Sequence, residues 1–293
     1  MLPETFTPDF LRQLELLRIK ARRAFLGTRQ GGHVSPKRGH GIEFADYRKY
    51  ELGDNPRHID WGVYARSDRL YVRKYQEEQD LKVFMLLDAS ASMLNPAADH
   101  KWEMARDIAL ALSYVALMAQ DSVQVFVPGA FSGPVCYGGR AIHSLAGSLM
   151  KLNLKQGADF QGGIRSSLAR VRFPGVALVI SDFLMPLDRI FEIFNILRAR
   201  NMEVTAVQVL GAGDIEPLRG METARAIDSE SGESVDLNMG ETFLAEYGML
   251  LADHNYRLRS FLAESQISYV RALSSQSVPE FVMEHLSSTG LLR

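Results

Sequence analysis

The chain has 293 residues, 46% of them hydrophobic, and a formal net charge of -2 from 33 Lys plus Arg against 35 Asp plus Glu. That is enough apolar content for the core of one large domain or two modest ones, and the near balance of charge carries no global sign of a nucleic acid or an anionic membrane as partner. The single Cys136 excludes an internal disulfide and a cysteine-based zinc site, and the absence of a long apolar run or a signal-peptide pattern leads one to expect a cytoplasmic protein without a membrane span.

Thr7-Pro8-Asp9 sets a helix start with Pro at the first helical position, and Phe10, Leu11, Leu14, Leu17, Ile19, Ala21 and Phe25 recur at near-helical spacing until Gly27. Its polar face carries Arg12, Arg18, Lys20, Arg22 and Arg23 and reads as a solvated surface. Residues 29–41 form a loop rich in Gly and positive charge. It lacks the Gly-Lys-Ser/Thr ending of a Walker A loop, so a surface connection is the expectation.

Acids and arginines interleave from Gly41 to Arg66, closely enough for Arg48, Arg57 and Arg66 to pair with Glu43, Asp54 and Asp60. Gly53-Asp54-Asn55-Pro56 signals a turn, and the strand expected after it puts Ile59, Trp61 and Val63 on one apolar face with Trp61 as its anchor. Leu70 to Glu78 reads as a strand of a small antiparallel ribbon that joins this region to the main sheet. The expected division is therefore residues 1–79 as an N-terminal helix and signature region, and residues 80–293 as the main domain.

From Leu81 onward strands and helices alternate. Apolar runs at Val83–Leu87, Val123–Val127, Val176–Ile180 and Val204–Leu210 read as strands buried on both faces. Phe131–Tyr137, Thr223–Asp228 and Ile267–Val270 read as further strands, with a tight hairpin after Asp228. Helical spacing spans Lys101–Met118, Ile142–Leu152, Ile164–Val171, Leu187–Arg198, Phe243–Phe261 and Val278–Leu286. This alternation predicts an α/β fold with a doubly wound, mostly parallel sheet.

The chemistry is expected where Val83–Leu87 ends, in Asp88-Ala89-Ser90-Ala91-Ser92-Met93. Small alanines let the backbone turn, so the Asp88, Ser90 and Ser92 oxygens can converge beyond the carboxyl end of the strand, where open α/β sheets bind ligands. A carboxylate with hydroxyls is hard-oxygen chemistry, suited to Mg²⁺ or Mn²⁺ rather than zinc. Taken alone, the segment fits an Asx turn or a helix cap slightly better than a metal site. The second strand end, Ser181-Asp182, supplies another carboxylate and turns the reading toward a metal.

Catalytic residues are harder to find. The seven His are scattered as His33, His40, His58, His100, His143, His254 and His285, with no ligand or triad spacing. Ser90 lacks the following Gly of a Gly-x-Ser-x-Gly elbow, and Ser90 also stands where an aspartyl-phosphate route would want a second acid after Asp88. A non-enzymatic protein is expected, with no catalytic residue assigned.

Asp88-x-Ser90-x-Ser92, followed later by Asp182, resembles the metal-ion-dependent adhesion site of von Willebrand factor A domains. Upstream, Gly39-His-Gly41-Ile-Glu43-Phe44, Arg48-Lys-Tyr50, Gly53-Asp54, Arg57-His-Ile59-Asp60-Trp61 and Ala65-Arg66 are similar to the signature of the domain-of-unknown-function 58 family, which precedes an A-like domain. The resemblance implies Asp88, Ser90, Ser92 and Asp182 as ligands of Mg²⁺ or Mn²⁺, with an open position for a partner's carboxylate. Its Gly-Thr-Asp segment is here Gly157-Ala158-Asp159, so Ala158 brings no oxygen to one ligand position. It further implies an adaptor beside a MoxR-type AAA+ ATPase in the maturation of protein complexes. A Mg²⁺-dependent phosphoester hydrolase and a metal-free scaffold with a degenerate site are the alternatives.

Overall fold

A computed structural model describes residues 2–21, 43–76, 81–154, 158–171, 174–217, 223–227, 234–238 and 241–292. The chain divides into two compact units, Met1–Phe25 with Leu81–Arg293, and Leu26–Asp80.

The first helix, α1 (Pro8–Glu15), starts as its sequence dictates. Thr7 accepts a hydrogen bond from the Phe10 amide, and Pro8 takes the first helical position. It ends ten residues earlier than the apolar spacing predicts, because Ile19 forms an antiparallel bridge with Leu292 and the Lys20 amide donates to the Leu291 carbonyl. The sequence reading groups this helix with the signature region. Its Phe10 and Leu14 are instead buried in the same apolar cluster as the helix over 101–118 and the central strand.

The smaller unit pairs β1 (Glu43–Lys49) with β2 (Tyr71–Gln76) in an antiparallel ribbon. The strand expected at Ile59–Val63 is not there. A 3₁₀ turn at Pro56–His58 leads into α2 (Trp61–Ser67), whose start is fixed by the Asp60 carboxylate accepting from the Gly62 and Val63 amides. Three alternating apolar residues are too few to separate a strand from a helix, and the cap decides for the helix. Trp61 is consequently 60% exposed rather than an apolar anchor. Of the expected ion pairs, Arg48 meets Asp54 at 2.7 Å and adds Glu51 at 3.5 Å. Arg66 donates to the Gly62 carbonyl. The loop over 29–41 lies outside the described residues.

The larger unit is a mixed α/β domain on a mostly parallel sheet. Its strands are β3 (Lys82–Leu87), β4 (Ser122–Val127), β5 (Phe131–Ser132), β6 (Cys136–Tyr137), β7 (Val176–Ser181), β8 (Glu203–Leu210) and, after the antiparallel pair β9 (Thr223–Ile227) and β10 (Ser234–Asn238), β11 (Ser268–Leu273); the tight turn expected after Asp228 lies outside the described residues. The order across the sheet is β11-β8-β7-β3-β4-β5, with β6 also on β4. The five long strands are parallel, and the short β5 and β6 run antiparallel at the β4 edge.

Alternate residues of β3 enter separate clusters: Val83, Met85 and Leu87 in one, Phe84 and Leu86 in the other. This is what a two-sided core requires of a strand with period-2 side chains. The first cluster takes in α1, α4 (Lys101–Met118, after the short α3 at Ala91–Leu94) and α5 (Ala141–Met150). It also holds Val278 of α10 (Val278–Glu280) and the π-helical turn Phe281–Leu286. The second takes in α6 (Phe160–Leu168), α7 (Leu187–Ala199) and, beyond the short α8 (Ala212–Ile215), the long α9 (Glu241–Glu264).

The chain leaves β3 toward β4 on one side of the sheet and returns to β7 on the other. The carboxyl ends of β3 and β7 therefore flank the switch point of the strand order, where such sheets place their ligands.

Candidate metal centre

β3 delivers Asp88 to the switch point. The Asp88 amide still donates to the Ile180 carbonyl of β7, extending the parallel ladder by one bond. The Asp88 carboxylate then accepts from the Ser90 amide at 2.8 Å, so the Asx turn implicit in the motif forms, and Ser90 stands at the N-cap of α3. Ala89 and Ala91 are buried between them. Ser90 Oγ and Ser92 Oγ are 3.1 Å apart.

β7 delivers the second half. Ser181 Oγ donates to the other Asp88 oxygen at 2.6 Å and accepts from the Phe183 amide at 3.0 Å. Asp182 is buried and accepts from the Leu184 amide at 3.2 Å, while its carbonyl takes a hydrogen bond from Gln208 Nε2. Gln208 in turn donates to Asn255 of α9 and accepts from Tyr269 of β11. Phe183 adopts a left-handed φ of 50°, uncommon for an aromatic residue. Its ring is held against Phe194, and its carbonyl is hydrogen-bonded to the His254 ring at 2.7 Å.

Two further groups complete the site, and the sequence reading missed both. Lys101, the first residue of α4, extends its ammonium to within 3.0 Å of Asp182 and 2.9 Å of Asp214, and its side chain is 1% exposed. Asp214 follows β8 in α8 and is fastened there by the Gly211 amide at 2.8 Å. A Cβ at Gly211 would run into the Asp99 carboxylate, which accepts from the Gly213 amide. The Asp214 signal was available, because the apolar run Val204–Leu210 is a third strand followed, after Gly211-Ala212-Gly213, by an acid. Lys101 had none, since a lysine opening a helix ordinarily lies in water.

The electrostatics follow from burial. The Asp88 carboxyl is pushed up to about 7, first by loss of water and then by the Asp182 charge, against the opposing hydrogen bonds from Ser181 and Ser90. For Lys101, burial pulls the ammonium down, yet the Asp182 and Asp214 charges outweigh it and hold its pKa above the ordinary lysine value. Among the described residues no basic side chain bonds Asp88, and the Lys101 ammonium is taken up by Asp182 and Asp214.

The donor set can be tested against a hard divalent cation. The 3.1 Å between the two serine oxygens matches neighbouring corners of an octahedron with bonds of about 2.1 Å, which lie about 3.0 Å apart. Asp88 adds a carboxylate beside them. Ala158 brings only a methyl group, packed toward Gly129 beyond the end of β4. Asp159 does not replace it, because its carboxylate caps α6 through the Gly162 amide. Among the described residues no three His, Cys, Asp or Glu side chains form a metal cage by themselves. A cation here would lean on Asp88, Ser90 and Ser92, with Asp182 contributing charge from beside Lys101. On that arm the residues fit.

The chain belongs to the family described as protein of unknown function DUF58, whose model matches residues 46–257. An uncharacterized protein of Mycobacterium bovis is 25% identical over 261 residues, covering 84% of this chain and 79% of its own, and uncharacterized proteins of two Mycobacterium tuberculosis strains match to the same extent. Among solved structures, the conserved hypothetical protein BatB from Bacteroides thetaiotaomicron is similar at 17% identity and a TM-score of 0.41, over 72% of this chain and 98% of that one. An aerotolerance-related membrane protein from Bacteroides fragilis is similar at 20% identity and the same TM-score, over 71% and 99%. Among the described residues of the present chain, no helix is long and apolar enough to cross a membrane.

Proposed function

We propose that this chain is a protein-interaction module of von Willebrand factor A-like type that engages a partner's carboxylate through a divalent cation, Mg²⁺ or Mn²⁺. The cation would be held by Asp88, Ser90 and Ser92, with Asp182 supplying charge from the neighbouring strand end. The observation that carries this reading is the gathering of hard oxygens at the switch point: the Asp88 carboxylate, bonded by no basic side chain among the described residues, lies beside the Ser90 and Ser92 hydroxyls, while the Lys101 ammonium is taken up by Asp182 and Asp214. When bound, the ion supplies a point of positive charge with open coordination positions, which attract an arriving carboxylate more strongly than water-exposed groups would.

Binding without turnover is the simpler use of these groups. The Ser90 hydroxyl meets another hydroxyl, and the Ser181 hydroxyl is buried beneath Asp88. Neither is presented to a substrate with a base behind it. By family resemblance, the partner proposed is a MoxR-type AAA+ ATPase in the maturation of protein complexes, which would place the module in the cytoplasm. Lys101 favours a second reading, a metal-free scaffold, because one positive charge is already built in.

The deciding measurement is calorimetric titration of the chelator-stripped full chain with Mg²⁺ and Mn²⁺, beside Asp88→Ala, followed by capture of a MoxR-type ATPase with and without EDTA. Saturable binding lost in Asp88→Ala, with capture that needs the ion, is the expected result. No heat from the wild type would leave the scaffold reading.

A further inference from the structure

Lys101 is an expensive residue in its place. It stands in the first turn of α4, where the helix dipole disfavours a cation. Its ammonium is buried, although a four-carbon stem ordinarily lets the charge reach water. Three oxygens from two different elements receive it: Asp182 Oδ2 beyond β7, and both Asp214 oxygens in α8. That convergence gives the charge a task.

We propose that Lys101 is a tethered counter-ion of the switch-point site, occupying in part the electrostatic position of a metal and so lowering the affinity of Asp88, Ser90, Ser92 and Asp182 for a divalent cation. The inference rests on the divalent-cation reading of the site. Asp182 is shared between two demands: its Oδ2 is held by the ammonium, and only Oδ1, which accepts from the Leu184 amide, is left for a cation. An ammonium held between Asp182 and Asp214 also repels any second cation brought to the same end of the sheet, through a medium that screens poorly. The site is thereby tuned toward weak, reversible occupancy. It stays assembled when no ion is bound, because Lys101 prevents Asp182 and Asp214 from repelling one another.

Two substitutions act in opposite directions. Lys101→Met keeps the stem and removes the charge, leaving three carboxylates to a divalent ion. Asp214→Asn keeps the shape, removes one negative charge and leaves Lys101 to Asp182 alone. The chelator-stripped full chain and both variants are titrated with Mn²⁺ and Mg²⁺ by calorimetry, and their thermal unfolding midpoints are read with and without each ion. Lys101→Met is expected to bind Mn²⁺ on the order of ten-fold more tightly than the wild type, and Asp214→Asn on the order of ten-fold more weakly. The ion-dependent rise in midpoint should follow the same order.

Wild-type binding that Lys101→Met leaves unchanged or weakens overturns the counter-ion role and leaves the cation reading standing. Binding by Lys101→Met where the wild type shows none supports the role and overturns the reading for the native chain. Silence from all three proteins overturns both. Should Lys101→Met fail to fold without metal, Asp214→Asn decides: affinity equal to or above the wild type sinks the proposal.

Discussion

Lys101 Nζ lies 3.0 Å from Asp182 Oδ2, and both side chains are 1% exposed. The pair joins the start of α4 to the end of β7, two elements far apart along the chain. Burying both charges is costly, and the contact repays that cost only while both partners remain. Asp182→Ala is therefore expected to destabilise the larger unit by about 3 kcal/mol, toward the lower end of the range for a broken buried pair because Asp214 still receives the ammonium. Urea unfolding followed by far-ultraviolet circular dichroism measures it. A change under about 0.5 kcal/mol would show that the ammonium escapes to water.

Asp88 makes the stability depend on pH. Its folded pKa, about 7, stands above the ordinary carboxyl value of 3.8, so the folded state holds its proton more tightly than the unfolded state does. Stability from the neutral form is fully present below about pH 4 and is lost as pH rises through about 7. Asp88→Asn, neutral at every pH, should remove this slope and exceed the wild type at pH 8 by on the order of 2 kcal/mol. Unfolding midpoints across pH 4 to 8 in chelator test this. A wild-type curve parallel to that of the variant would mean that Asp88 ionises without penalty.

What the sequence reveals differs between the parts of the molecule. The strands of the sheet and the helix over Lys101–Met118 are legible because long apolar runs and a sustained 3.6-residue period leave little choice. Asp88 and Asp182 are legible because each closes such a run. Lys101 is not, since its partners lie 81 and 113 residues away and no local pattern marks a buried ammonium. The helix at Trp61 fails for another reason: Ile59, Trp61 and Val63 mimic a strand over five residues, while the feature that decides is one carboxylate, Asp60, reaching two amides.

Trp61 and Asp60 should behave contrary to their size. Trp61 is 60% exposed, with its ring edge-on to Tyr64, so Trp61→Ala is expected to shift stability by no more than about 0.5 kcal/mol. Asp60 is buried, caps α2 and accepts from Tyr47 Oη at 3.0 Å. Asp60→Ala should cost the smaller unit about 1–2 kcal/mol. Hydrogen exchange of the α2 amides separates the two. Faster exchange in Trp61→Ala than in Asp60→Ala would reverse the assignment.

The N-terminal helix offers a test of how the larger unit is closed. Phe10 is almost completely buried in the cluster that contains Ile108, Leu112 and Val115 of α4, and Tyr114 Oη donates to Glu15 at 2.7 Å across the same contact. If α1 belongs to the sheet domain, deleting its anchor must be felt by that domain. Phe10→Ala removes a buried ring and leaves a cavity over α4, so a loss of about 3 kcal/mol is expected. The loss should appear in the main cooperative unfolding transition, because the helix and the core share one apolar cluster. Tyr114→Phe removes only the hydrogen bond to Glu15 at the rim and should cost about 1 kcal/mol or less. If Phe10→Ala instead produced a separate low-temperature transition with the main midpoint unchanged, α1 would be an appendage that melts independently of the sheet.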